Sequence, residues 1–164
     1  MIIRASRHRQ DAMPDQRRLY EMSLPTRKLT VLILCTANSA RSQMAEGLLR
    51  ELAAGRADVY SAGAQPSHVN PYAIEAMRQR GIDISGQSSH HLSKYLGTEF
   101  DYVITVCDNA AETCPVFPGR AARIHWSFPD PTAVSGAGGD LLGSFIKVRD
   151  GLERRLQQWL SSLS

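Results

Sequence analysis

The chain has 164 residues and a mass of 18.1 kDa, room for one hydrophobic core and not two. Apolar residues make up 43% and charged residues 21%, the balance of a globular domain, and no apolar run approaches the roughly 18 residues that a membrane-spanning helix needs. The formal charge of +3 divides unevenly: residues 1–28 carry seven Lys/Arg against three Asp/Glu, residues 29–164 twelve against thirteen, so the domain lacks the basic excess of a nucleic-acid-binding surface. Residues 1–28 read as a basic, disordered or loosely attached extension, rich in Arg, Gln and Asp and interrupted by Pro14 and Pro25. They contain no apolar stretch of the kind that marks a secretory signal. The domain begins at Leu29. Thr30–Leu34 is a continuous apolar run of strand length, as in a parallel sheet buried on both faces. Met44, Ala45, Leu48, Leu49 and Leu52 then recur at helical spacing over 42–54. A second strand is expected over 58–62, closed by Gly63, and a helix over 71–80, with Pro71 at its first turn and Gly81 just past its end. A short helix over 90–96, strands over 102–107 and 123–126, and a flexible Ser135–Gly139 loop follow. The last element is an amphipathic helix over 140–163 that aligns Leu141, Phe145, Val148, Leu152, Leu156, Trp159 and Leu163. Strands alternating with helices imply one α/β domain over 29–164: a four-stranded parallel sheet flanked by helices on both faces.

Between the first strand and the first helix lies Cys35-Thr36-Ala37-Asn38-Ser39-Ala40-Arg41-Ser42. A cysteine at the carboxyl end of a strand stands where open α/β sheets bind ligands. A loop of this length can turn several backbone N–H groups inward and, with the helix N-terminus, form an anion cradle. Arg41 adds a planar fork for two oxygens of a tetrahedral oxyanion. The same positive field favours a nucleophilic thiolate at Cys35, to which Ser42 can donate a hydrogen bond. Asn38 suits a left-handed backbone position and can pin the loop through its side chain. The other thiols are Cys107 and Cys114. An odd, small count without a secretion signal argues for reduced thiols in the cytoplasm rather than a disulfide framework.

The run Val31–Gly47 resembles the signature of arsenate reductases with the low-molecular-weight protein tyrosine phosphatase fold. The likeness extends through Tyr60-Ser61-Ala62-Gly63, Asn70–Met77, Val103–Cys107 and His125-Trp126-Ser127-Phe128-Pro129-Asp130-Pro131. Phosphatases of this fold carry an aromatic pair after the Asp-Pro, where this chain has Thr132-Ala133. Cys107 and Cys114 are spaced as in thioredoxin-coupled reductases. The resemblance therefore implies arsenate reduction in arsenic detoxification. Cys35 is the expected nucleophile, Asp130 the general acid, Cys107 and Cys114 the resolving thiols, and thioredoxin the external reductant. The segment 108–114 is expected to unwind on oxidation, because a disulfide requires Cα atoms within roughly 7 Å and two helical turns span on the order of 10 Å. The rival readings are a reductase served by glutaredoxin or a mycothiol-type thiol, and a phosphatase acting on phosphotyrosine or a small phosphate ester.

The resemblance implies no tightly bound cofactor, and a monomer is expected. Some members bind potassium near the loop. Asn38, Glu46 and Ser61 match three of its ligands, while the fourth position is His90, so cation activation is expected to be weak or absent. His91 and His125 read as packing or surface residues, and no His/Cys cluster has zinc-site spacing.

Overall fold

The computed structural model describes residues 27–133 and 140–163; the rest of the predicted N-terminal extension and the Ser135–Gly139 loop lie outside the described residues. Four strands form one parallel sheet: β1 (Leu29–Cys35), β2 (Ala57–Gly63), β3 (Tyr102–Thr105) and β4 (Ala122–His125), in the order β2-β1-β3-β4. Five residues of β1 in succession, Val31–Cys35, are buried, which is the lot of a central strand covered on both sides. The chain steps from β1 outward to β2 and returns on the other side as β3. The carboxyl end of β1 is therefore the switch point where such sheets open a crevice.

The register divides the side chains between two faces. Val31, Ile33 and Cys35 share a face with Val59, Ser61, Tyr102 and Ile104. Three helices cover this face: α1 (Arg41–Ala53), α2 (Pro71–Gln79) and α4 (Leu141–Ser162), which pack on one another. Trp159 of α4 meets Tyr102 edge to face at 5.0 Å. The predicted stripe of α4 holds at its centre: Phe145, Val148, Leu152, Leu156 and Trp159 are buried, whereas Leu163 at the end is exposed. Each fully buried Leu or Phe contributes about 1.5–3 kcal/mol. The opposite face carries Tyr60, packed with Tyr95 and Phe100 at ring distances of 5.5 and 5.9 Å. Tyr95 belongs to a 3₁₀ turn over Leu92–Tyr95. On that face also lies the short helix α3 (Asp108–Thr113), tied to the His125 ring of β4 through Asp108.

The ends of the elements obey local chemistry. Asn70 caps α2 by accepting the Tyr72 N–H at 2.8 Å, Pro71 takes the first turn, and Gly81 beyond the helix adopts φ +85°. Asp140 caps α4 through the Gly143 N–H. The strand expected over 102–107 is shorter: sheet pairing stops at Thr105. Val106 still donates its N–H to Leu34 O, and Cys107 stands in front of α3 as its N-cap residue. The six residues 108–113 are helical, as the sequence suggested.

Candidate active site

The loop 35–42 is bent by Asn38, a non-glycine residue at φ +46° whose side chain is wholly buried. Its carbonyls face outward. Thr36 O accepts from Gln65 N, Ala37 O from Ser67 N and Ser89 Oγ, Asn38 O from Gln43 Nε2, and Ser39 O from Asn70 N. In a trans peptide the N–H opposes the C=O. The amides of residues 37–40 are thereby turned inward, toward a cavity of about 300 Å³ that Cys35, the loop and Arg41 help to line. Helix α1 starts at this cavity without a side-chain cap or an acidic residue in its first turn, so its N-terminal amides remain available to an anion.

A chain of hydrogen bonds runs beneath the sulfur. Glu46 Oε2 takes the Ser61 hydroxyl proton at 2.6 Å. The two amide hydrogens of Asn38 go to Ser61 Oγ at 2.9 Å and Ser42 Oγ at 2.8 Å, while Asn38 Oδ1 accepts from the His90 N–H. Ser42 Oγ accepts from Asn38 and lies 2.8 Å from Cys35 Sγ, where its own proton can go to the sulfur.

Arg41 lines the cavity and donates through Nη1 to Phe128 O at 2.9 Å, so the loop that carries Asp130 is tied to the guanidinium. Asp130 also lines the cavity. Burial pushes its carboxyl up, but the Thr132 hydroxyl and N–H, with the charge of Arg41, outweigh that and hold it below the ordinary aspartate value. Cys107 is buried, with Sγ 3.4 Å from Thr36 Oγ1, next to the nucleophile in sequence. Cys114 is half-buried at the far end of α3 and does not line the cavity. Burial raises its thiol against the opposing charge of Arg123. All three cysteines are free thiols.

The residues matched to a potassium site do not fit a cation. Asn38 turns its amide hydrogens toward Ser61, its oxygen is taken by His90 N–H, and Ser61 gives its proton to Glu46. Glu46 is already paired with Arg50, Nη2 to Oε1 at 2.5 Å. Burial raises the Glu46 carboxyl, opposed by the Ser61 hydrogen bond and the Arg50 charge. Burial and Lys94 lower His90, leaving it neutral near pH 7. A larger cavity of about 770 Å³ lies behind Glu46, Arg50 and His90 and holds none of the cysteines.

Five residues have roles that the sequence did not reveal. Gln43 and Arg50 brace the loop and Glu46 through tertiary contacts that periodicity does not encode. Asn109 of α3 lines the cavity. Gly63 was legible only as the end of a strand, yet a Cβ there would stand 2.8 Å from Cys35 O and 2.9 Å from Asn38 N, and closer still to Thr36 O. His125, expected as a packing or surface residue, bridges Thr105 Oγ1 at 2.8 Å and Asp108 Oδ1 at 2.9 Å.

Comparison with known proteins agrees with this geometry. Residues 30–164 match the family described as low molecular weight phosphotyrosine protein phosphatase. An arsenate reductase of Halalkalibacterium halodurans is 42% identical over 130 residues, covering 79% of this chain and 94% of that protein. A solved arsenate reductase in the phosphate binding state superposes with a TM-score of 0.71 at 34% identity, over 83% of this chain and 99% of that one. The Corynebacterium glutamicum thioredoxin-dependent arsenate reductase Cg_ArsC1' gives a TM-score of 0.66 at 25% identity, over 90% of this chain and 70% of that one.

Proposed function

This chain belongs to the low molecular weight phosphotyrosine protein phosphatase family, and we propose that it reduces arsenate to arsenite through a relay of three thiols, with thioredoxin returning it to the dithiol state. The observation that carries this reading is the pairing of an oxyanion cradle at Cys35 with a second buried thiol, Cys107, held against the same loop through Thr36. A phosphatase has no use for the second thiol. Thr132-Ala133 follow the Asp-Pro, and among the described residues that line the cavity none is an aromatic that could form a wall for an aryl phosphate.

The chemistry runs on two electrons. Arsenate sits on the inward amides and Arg41. Cys35 attacks arsenic and an S–As bond forms, while the departing oxygen leaves as water after taking a proton from Asp130. Asp130 rests as a carboxylate, so it must gain its proton with the substrate, whose negative charge in the cavity favours the neutral acid. The Cys107 thiolate then attacks Cys35 Sγ. The S–S bond forms, the S–As bond breaks, and its electron pair stays on arsenic as arsenite. Cys114 attacks Cys107 Sγ, Cys35 leaves as thiolate, and the Cys107–Cys114 disulfide remains for thioredoxin. Closing that last bridge requires residues 108–113 to give up their helix.

The test is arsenate-dependent NADPH oxidation with thioredoxin and thioredoxin reductase. Wild type should turn over, and Cys35→Ser, Cys107→Ser and Cys114→Ser should not. Cys114→Ser should still release one arsenite per chain. Activity with a glutaredoxin system that survives Cys114→Ser, while thioredoxin fails throughout, would overturn the relay. So would hydrolysis of phosphate esters without any arsenate reduction.

A further inference from the structure

The hydrogen-bond chain beneath Cys35 ends on a carboxylate, which by itself is a poor neighbour for a thiolate. The links from Glu46 through Ser61, Asn38 and Ser42 to the sulfur measure 2.6–2.9 Å each. Carboxylate and sulfur are thus on the order of 8–10 Å apart. The carboxylate takes the Ser61 proton, which leaves the Ser61 oxygen to accept from Asn38. Its charge, left alone, would oppose the negative sulfur.

Arg50 resolves this conflict. It stands one turn after Glu46 on α1 and contacts Glu46 Oε1 at 2.5 Å, and its Nη2 also donates to Val59 O on β2 at 2.8 Å. Most i,i+4 pairs decorate a wet helix surface. Here the Glu46 side chain is only 9% exposed, and the arginine is held from the strand side as well. We infer that Arg50 is a positioning residue of the thiol chemistry: its guanidinium is a built-in cation that neutralises Glu46, keeps the carboxylate aligned on Ser61, and so holds the Asn38 amide on Ser42 Oγ, 2.8 Å from Cys35 Sγ. The guanidinium serves where the resemblance would have placed potassium. The inference rests on Cys35 as the nucleophile of the proposed function, and its test does not require arsenate.

The test is alkylation of Cys35 by iodoacetamide in the full chain across pH, followed by mass spectrometry of the Cys35 peptide. An unpaired charge at this distance in an effective dielectric of about 20–40 alters the thiolate balance by roughly 5- to 20-fold. Arg50→Met should slow alkylation at pH 7 by that factor and displace its rise to higher pH. Arg50→Lys should recover most of the rate. The double variant Glu46→Gln/Arg50→Met should also recover, because the glutamine oxygen still accepts from Ser61 and no charge remains. If Arg50 were only a prop under Val59 O, the double variant would stay as slow as Arg50→Met, and that result overturns the proposal; so does a wild-type rate in Arg50→Met. Should Arg50→Met fail to fold, Arg50→Gln carries the same comparison. Replacing potassium by tetramethylammonium at constant ionic strength should leave the wild-type alkylation rate unchanged; a several-fold dependence on potassium would refute the built-in cation. Loss of arsenate reduction with this alkylation pattern intact would sink the proposed function and leave the role of Arg50 standing.

Discussion

Gly63→Ala isolates the part of the site that depends on close approach of backbone to backbone. A methyl group at residue 63 would meet Cys35 O at 2.8 Å, Asn38 N at 2.9 Å and Thr36 O at a shorter distance, where ordinary contact begins near 3.4 Å. All three are main-chain atoms, so no side chain can swing aside. Gly63 cannot retreat either, because its N–H is bonded to His90 O and its strand is paired with β1. The oxyanion loop must therefore rise by about 0.5–1 Å. Overpacking of this kind costs about 1–3 kcal/mol. A displacement of about 1 Å at a reacting centre costs on the order of 100-fold in rate. Activity should therefore fall further than stability. The assay is a thermal melt with and without phosphate, beside kcat/KM for arsenate. Gly63→Ala should remain folded, lose most of the phosphate-induced rise in Tm, and lose about two orders of magnitude in kcat/KM. Unchanged phosphate stabilisation together with wild-type kcat/KM would refute the reasoning, since it would mean that the loop has slack the structure does not show.

Ser42→Ala removes the hydroxyl that faces Cys35 Sγ at 2.8 Å. A hydrogen bond to a charged group contributes about 1.5–3 kcal/mol, so Cys35 alkylation at pH 7 should slow by at least tenfold; an unchanged rate would contradict donation from Ser42 to the sulfur. Asp130→Asn should leave phosphate binding in place and lower the single-turnover rate of arsenite release by about 10²–10⁴-fold, and equal loss of binding and rate would reassign Asp130 to holding Arg41. Asp101 accepts from Arg27 and from both the N–H and hydroxyl of Thr30, and its carboxyl is held down to about 2, first by the Arg27 hydrogen bond. A depressed carboxyl stabilises the fold above its unfolded value near 4, and that stability is lost as pH falls through about 2. With the discount for the exposed Arg27, Asp101→Asn should cost about 1–2 kcal/mol at pH 7 by urea unfolding, and the gap to wild type should close near pH 2; a gap that widens in acid has the wrong sign. Burial raises the Cys114 thiol, so in the reduced protein at pH 7 iodoacetamide should label Cys35 well before Cys114, and the reverse order would contradict the site.

The parallel sheet was readable because β1 is apolar at every position from Val31 to Cys35, and a run of that length with turn chemistry after it is the pattern of a strand buried on both faces. Helix α2 was readable from Pro71 and Gly81 for a different reason: the ends of a helix leave backbone groups unsatisfied, and few residue types solve that problem. The strand end at Thr105 was misread because Val106 and Cys107 are as buried as a central strand. Apolar character reports burial, not the partner that supplies it, and here burial continues past the last paired residue of the sheet.

The candidate site divides along the same line. Cys35, Arg41 and Ser42 were visible because nucleophile, fork and helix start are contiguous, so one loop carries the cradle. The hydrogen-bond chain beneath the sulfur is not contiguous in sequence. Glu46 and Arg50 come from the middle of α1, Ser61 from β2, and the His90 N–H that occupies Asn38 Oδ1 from the segment after α2. No spacing rule joins residues 38, 46, 61 and 90, which the resemblance alone had grouped, as matches to a potassium site; they meet because β2 lies beside β1 and α1 lies across both. These partners hold the Asn38 amide from three sides: its oxygen takes the His90 N–H, and its two hydrogens go to Ser61 and Ser42. Substitutions at Ser61 or Glu46, which touch no substrate, should be felt first in the pH dependence of Cys35 alkylation and only then in turnover.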